Sequence, residues 1–225
     1  MFNRLPKLIS AILLMITTTA SAGYIDFTGV NEGVADEFIF AHDGVTLTIS
    51  AWTTNVRSSD LDPALDQMVV TPWERLLGPY GVYKGSTGLG VISSDTDGSH
   101  LDGGEYTELD DLDEGLLFLF SEQVNFWGFA ADYLSSNDDL NLSIVNFLTP
   151  TTIETTDIFI DRKSFYDGYD GFPVFDVVGS AFMIWVDGDD DDVRIGDTYI
   201  TKVPEPNTLL LFSLVLIGMA VRRRV

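Results

Sequence analysis

The chain has 225 residues and no cysteine, and 35 acidic residues against 12 basic ones give a net charge of −23. That composition excludes disulfides, thiolate metal sites, a cysteine nucleophile and a cysteine-linked lipid anchor, and it argues against nucleic acid or anionic lipid as a partner, because like charges repel. Acidity does not make the chain disordered, since 45% of it is hydrophobic and 15 phenylalanines need a core to bury them.

In chain order, Arg4 and Lys7 form a short basic flank, Leu8 to Ile16 is almost wholly apolar, and Ala20-Ser21-Ala22 follows. The apolar run is shorter than the ~20 residues a lasting membrane anchor needs. Small residues at Ala20 and Ala22 then supply the two positions a signal peptidase reads. The expected leader is therefore 1–22, a signal helix cut after Ala22, with signal peptidase as a partner during export.

The segment 23–202 reads as a single domain, long enough for a substantial core. Between Gly23 and Val203 lie seven basic and 34 acidic residues, a net charge of −27, which suits a solvated body. Period-two alternation dominates: in Val45-Thr46-Leu47-Thr48-Ile49-Ser50-Ala51-Trp52 the odd positions are apolar or alanine and the even ones up to Ser50 polar, as in a half-buried strand. Similar runs occupy Gly88 to Ser93, Leu116 to Phe120, Val124 to Ala130, Leu140 to Phe147, Asp157 to Ile160, Ser180 to Val186, Val193 to Ile195 and Thr198 to Thr201. Turn formers separate them, among them Asp43-Gly44, Ser135-Ser136-Asn137-Asp138 and Asp187-Gly188. The expected fold is all-β, an antiparallel β-sandwich of jelly-roll type, flanked by the N-terminal signal helix and a C-terminal hydrophobic helix. Leu61 to Leu77 is the one stretch that could hold a short helix within the body.

Candidate sites are of two kinds. Asp187, Asp189, Asp190, Asp191 and Asp192 crowd carboxylates into six residues, either as a solvated turn or as an oxygen-rich loop for calcium, the candidate cofactor. Asp95 and Asp97 open a second acidic stretch; an EF-hand register there puts Ser93 and Gly104 at its ends and lacks both terminal carboxylates, which leaves a looser calcium loop as the candidate. Trp73, Tyr80 and Tyr83, with Tyr166 and Tyr169, are either core anchors or a platform for sugar rings. Catalysis is not expected. His42 and His100 are the only histidines, and the chain has no Gly-x-Ser-x-Gly elbow, phosphate loop or His-Glu-x-x-His motif.

At the far end, Val203-Pro204-Glu205-Pro206 precedes the apolar stretch Leu209 to Val221 and the cluster Arg222, Arg223, Arg224. The two prolines hold the segment extended, since each fixes its own φ and disfavours helix just before it. The arginines are expected to stay on the cytoplasmic side of a transiently spanning helix. This order of elements over 203–225 resembles the PEP-CTERM sorting signal. The resemblance implies recognition by a membrane-embedded exosortase in bacteria that make exopolysaccharide, and hence a protein exported to the cell surface or beyond. Gly88-Leu89-Gly90-Val91, the run Glu114 to Ser121 with Val124 and Phe126, and Asp191-Asp192-Val193-Arg194-Ile195 are similar to the β-rich bodies of such proteins, several of which are compared with carbohydrate-binding jelly rolls. The expected role is structural or adhesive and linked to exopolysaccharide. The alternatives are a calcium-assisted lectin and a glycan-active enzyme.

Overall fold

The computed structural model describes residues 22–30, 32–54, 70–93, 101–102, 113–132, 140–161, 176–186 and 192–203. Residues 21–202 form one compact unit, and every regular element among the described residues is a strand. In order these are β1 (Ala22–Asp26), β2 (Gly33–Ala35), β3 (Glu37–His42), β4 (Val45–Thr54), β5 (Val70–Arg75), β6 (Gly81–Gly85), β7 (Gly88–Ile92), β8 (Leu101–Asp102), β9 (Asp113–Asp132), β10 (Leu140–Thr149), β11 (Thr152–Asp161), β12 (Val177–Val186) and β13 (Asp192–Lys202). The β3–β4 hairpin turns at Asp43 and Gly44, which have φ of 48° and 80°. Two consecutive positive φ values match the right-handed twist of the flanking strands, which is why Asp-Gly works there.

The sandwich expectation is corrected by the pairing. The order β9-β12-β10-β11-β5-β4 returns to β9 through the β4–β9 ladder, so six strands close into a barrel. Closure depends on a short contact, Trp52 opposite Arg75 and Thr53 opposite Glu74. The strand that makes it, β5, lies inside the Leu61 to Leu77 stretch that the sequence allows as a short helix, and so corrects that expectation over Val70–Arg75. Pro72 conceals it in the sequence, because proline gives the ladder no donor and is tolerated mainly at edges. Here Pro72 pairs with Glu154 of β11, while β4 reaches β5 only at Glu74 and Arg75. At Pro72, therefore, β5 is an edge. The flanking helices expected over 1–22 and 203–225 fall almost entirely outside the described residues. Ala22, assigned to the leader, instead opens β1 and pairs with Thr201. Among the described residues no helix is long and apolar enough to cross a membrane.

Two cores result, one inside the barrel and one outside it. The inner one gathers Trp52, Trp73, Leu117, Val145, Ile153, Ala181, Met183 and Trp185. The outer one joins Leu47, Ile49, Leu116, Phe118, Phe182 and Ile184 of the barrel wall to Phe126, Ile195, Ile200, Leu89 and Val82 of a second sheet. A wall strand is thus buried on both faces, and this is why Ala181-Phe182-Met183-Ile184-Trp185-Val186 is apolar throughout instead of alternating.

One strand belongs to both layers. The first half of β9 pairs with β4 through Asp113 to Phe120, and its second half pairs with β13 through Val124 to Asp132. A straight β9 would separate Gly115 from Asp132 by about 56 Å at 3.3 Å per residue. Their partners Trp185 and Arg194 are only nine residues apart in the chain, a reach of about 31 Å at most. The strand must bend, and the register shows where. Gly179 pairs with Val124 and Ala181 with Leu119, so two steps on β12 match five on β9 and the surplus bulges at residues 120–123. The bend folds the second sheet over the barrel wall, with Phe126 against Phe182 at 4.9 Å and Phe27 against Phe118 at 5.9 Å between ring centroids.

Candidate functional site

The expected sites scatter across this framework. Trp73 points into the barrel, fully buried, its indole N–H donating to Thr155 Oγ1 at 3.0 Å. Tyr83 lies on β6, with the Arg194 guanidinium 5.1 Å above its ring centroid, and Tyr80 just precedes that strand. The fold does not gather these three rings into one platform. Asp95, Asp97, Asp187, Asp189, Asp190 and Asp191 lie outside the described residues. The strand pairing does set Asp192 opposite Asp102, which joins the roots of the two acidic stretches. Among the described residues no group of three or more potential metal-ligating His, Cys, Asp or Glu side chains occurs.

What the fold brings together is its two ends. β1 and β13 run antiparallel with Ala22 opposite Thr201, so the expected leader cleavage point and the expected sorting segment join the body side by side. The end of β13 is fastened on its other flank as well. Lys202 pairs with Val124, its ammonium contacts the Glu122 carboxylate at 2.5 Å, and the Trp127 indole donates to Thr201 Oγ1 at 2.6 Å. Gly23, the expected mature N-terminus, is buried beneath His42, and a Cβ built on it would lie 2.5 Å from that ring. A side chain at position 23 would require the His42 ring to swing aside. Val203 is described, whereas Pro204, Glu205, Pro206, Arg222, Arg223 and Arg224 lie outside the described residues, as does Ala20.

Sequence reading passed over a group of side chains next to this junction. Tyr24 and Tyr199 stand opposite each other with ring centroids 5.2 Å apart and planes at 49°. Tyr24 is 46% exposed and Trp127 38% exposed. Both tyrosines have their pKa raised above 10.0, first by burial and then by the Asp197 carboxylate, with Asp26 adding to the effect at Tyr24. Their phenols therefore stay protonated across the neutral range. A signal for this group was present in the alternation of Gly23-Tyr24-Ile25-Asp26-Phe27, but that stretch abuts the leader.

The PEP-CTERM protein-sorting motif matches this chain over residues 202–224, beginning at the residue where β13 ends. Searches of curated proteins and of solved structures gave no match. The chain is a PEP-CTERM domain-containing substrate of an exosortase, sorted to the cell surface.

Proposed function

We propose that the body is a non-catalytic structural or adhesive component of the extracellular matrix, associated with exopolysaccharide once it has left the inner membrane. The observation that supports this most directly is the position of the motif. The matched segment starts at Lys202, the last residue of β13, so a cut beyond it would leave every described strand complete. A net charge of −27 between Gly23 and Val203 favours a soluble, mutually repelling body that stays dispersed in a hydrated polymer.

The test is fractionation of the native host combined with intact-mass measurement. The wild-type protein is expected in the surface and matrix fractions, trimmed at both ends. Replacing the motif by Pro204→Ala with Glu205→Ala should leave an untrimmed C-terminus in the membrane fraction. Recovery of the wild-type chain in the cytosol with Met1 and Val225 retained would overturn the reading.

A further inference from the structure

The sheet made by β1, β13 and the second half of β9 packs one face on the barrel and turns the other to solvent. Register fixes what that outer face displays: Tyr24 opposite Tyr199, Asp26 opposite Asp197, and Thr201 opposite Asn125, with Gly128 next to Tyr199 on β9. Trp127 is tied by its indole N–H to Thr201, one pleat from Tyr199. Val178 of β12, 53% exposed, stands opposite Asn125, whose amide donates to Asp176 at 2.6 Å. Three aromatic rings thus line a strip bordered by carboxylates and an amide, and Gly128 adds no side chain to interrupt it.

Clustered exposed rings mark an interaction surface, because each leaves apolar area in water. The border narrows the choice of ligand. The centre of a protein interface is depleted in charge, yet Asp26 and Asp197 directly flank the Tyr24–Tyr199 pair. Nucleic acid, anionic lipid and uronic-acid polymers would meet Asp26, Asp197 and Asp176 on a body of net charge −27. A neutral sugar chain fits both features. Its C–H faces supply apolar area for the rings, and its hydroxyls supply donors for the carboxylates. Rigid rings with two side-chain torsions also lose little entropy on being covered.

We propose that this face binds a neutral, hydroxyl-rich polysaccharide, with sugar rings lying on Tyr24, Tyr199 and Trp127 and hydroxyls donating to Asp26 and Asp197. The inference rests on the extracellular role argued above, and it adds the binding surface and the class of glycan. It assigns recognition to side chains distinct from Trp73, Tyr80 and Tyr83.

Native affinity electrophoresis of the exported protein tests it, in gels containing hydroxyethylcellulose, galactomannan or soluble starch, with alginate as the anionic comparison. At least one neutral polymer should retard the wild-type band, and alginate should not. Trp127→Ala and Tyr199→Ala should each weaken retardation about tenfold or more, as truncating an aromatic anchor commonly does. Ile39→Ala, which removes an exposed apolar side chain on β3, should change nothing. If Trp127→Ala does not fold by thermal melting, Tyr24→Ala reads the same face. The inference is overturned if no neutral polymer retards the wild type, if alginate does so equally, or if a folded Tyr24 or Trp127 variant binds as tightly as the wild type. Matrix fractionation run alongside separates the two readings. Wild-type protein that stays in the matrix but is not retarded removes the glycan face alone, whereas protein missing from the matrix removes the extracellular role.

Discussion

Tryptophan serves two opposite purposes in this molecule, and its surroundings distinguish them. Inside the barrel Trp52, Trp73 and Trp185 are buried, and each indole N–H is met by a hydroxyl: Ser50 at 2.8 Å, Thr155 at 3.0 Å and Ser143 at 2.8 Å. On the outer sheet Trp127 has the same kind of partner in Thr201, yet its ring is partly exposed, on the face where register also sets Tyr199, Asn125 and Val178. The hydrogen bond therefore does not separate core from surface. It fixes the ring in both places, and what covers the ring determines whether it stabilises the fold or is available to a ligand.

The sharpest way to break this comparison is to truncate one ring of each kind. Trp185 packs edge-on against Trp73 at 5.6 Å between centroids, and burying a ring of that size removes some 150–250 Å² of surface. Trp185→Ala should cost about 3–5 kcal/mol, read as a large fall in the urea midpoint. Trp127→Ala should cost under about 1 kcal/mol and act on ligand binding instead. Gly115 shows how full the barrel is. A Cβ there would lie 2.7 Å from the Met183 sulfur and 3.1 Å from Trp185 Cβ, so Gly115→Ala should cost about 1–3 kcal/mol through overpacking.

The hydroxyl partners provide the next step down. Ser143→Ala keeps the volume nearly unchanged and strands the buried Trp185 N–H, an expected loss of about 1–3 kcal/mol. Asn141 offers the reverse case. It is fully buried opposite Trp185, and among the described residues neither its Oδ1 nor its Nδ2 has a hydrogen-bond partner. Asn141→Leu removes that unmet polarity and should raise stability by about 1–2 kcal/mol. Destabilisation by a similar amount in chemical denaturation would show that the amide is satisfied in solution.

Legibility in the sequence followed polarity along each strand. β4 and β10 alternate because small polar side chains, Ser50 on β4 and Asn141 and Ser143 on β10, face into the barrel between apolar residues, and Val45 to Trp52 and Leu140 to Phe147 fall within these strands. β9 reads as two strands, Leu116 to Phe120 and Val124 to Ala130, because the bulge at 120–123 breaks the period where the chain changes layers. Barrel closure could not be read, since it depends on two residue pairs between β4 and a proline-containing β5, and a local pattern carries no information about which distant edges meet. The sorting segment was legible because short extended motifs are read by an enzyme as sequence. The outer aromatic face was not, because Tyr24, Trp127 and Tyr199 come from three distant strands and only register aligns them.

The smallest expected effect tests the outer face without any ligand. Tyr24 and Tyr199 have pKa values raised above 10.0 in the folded state, whereas an unfolded chain releases those protons near the ordinary value of about 10. Between the two values the folded state holds more protons, so stability falls as pH rises through that window and is unaffected below it. Urea midpoints measured from about pH 9 to pH 11 should therefore decline more steeply for the wild type than for Tyr24→Phe with Tyr199→Phe, which has no phenol to ionise on this face. Equal slopes would mean that neither burial nor the neighbouring Asp197, with Asp26 at Tyr24, holds these phenols protonated in solution. The strip would then lack the close pairing of acid and aromatic groups on which its selectivity for neutral sugars depends.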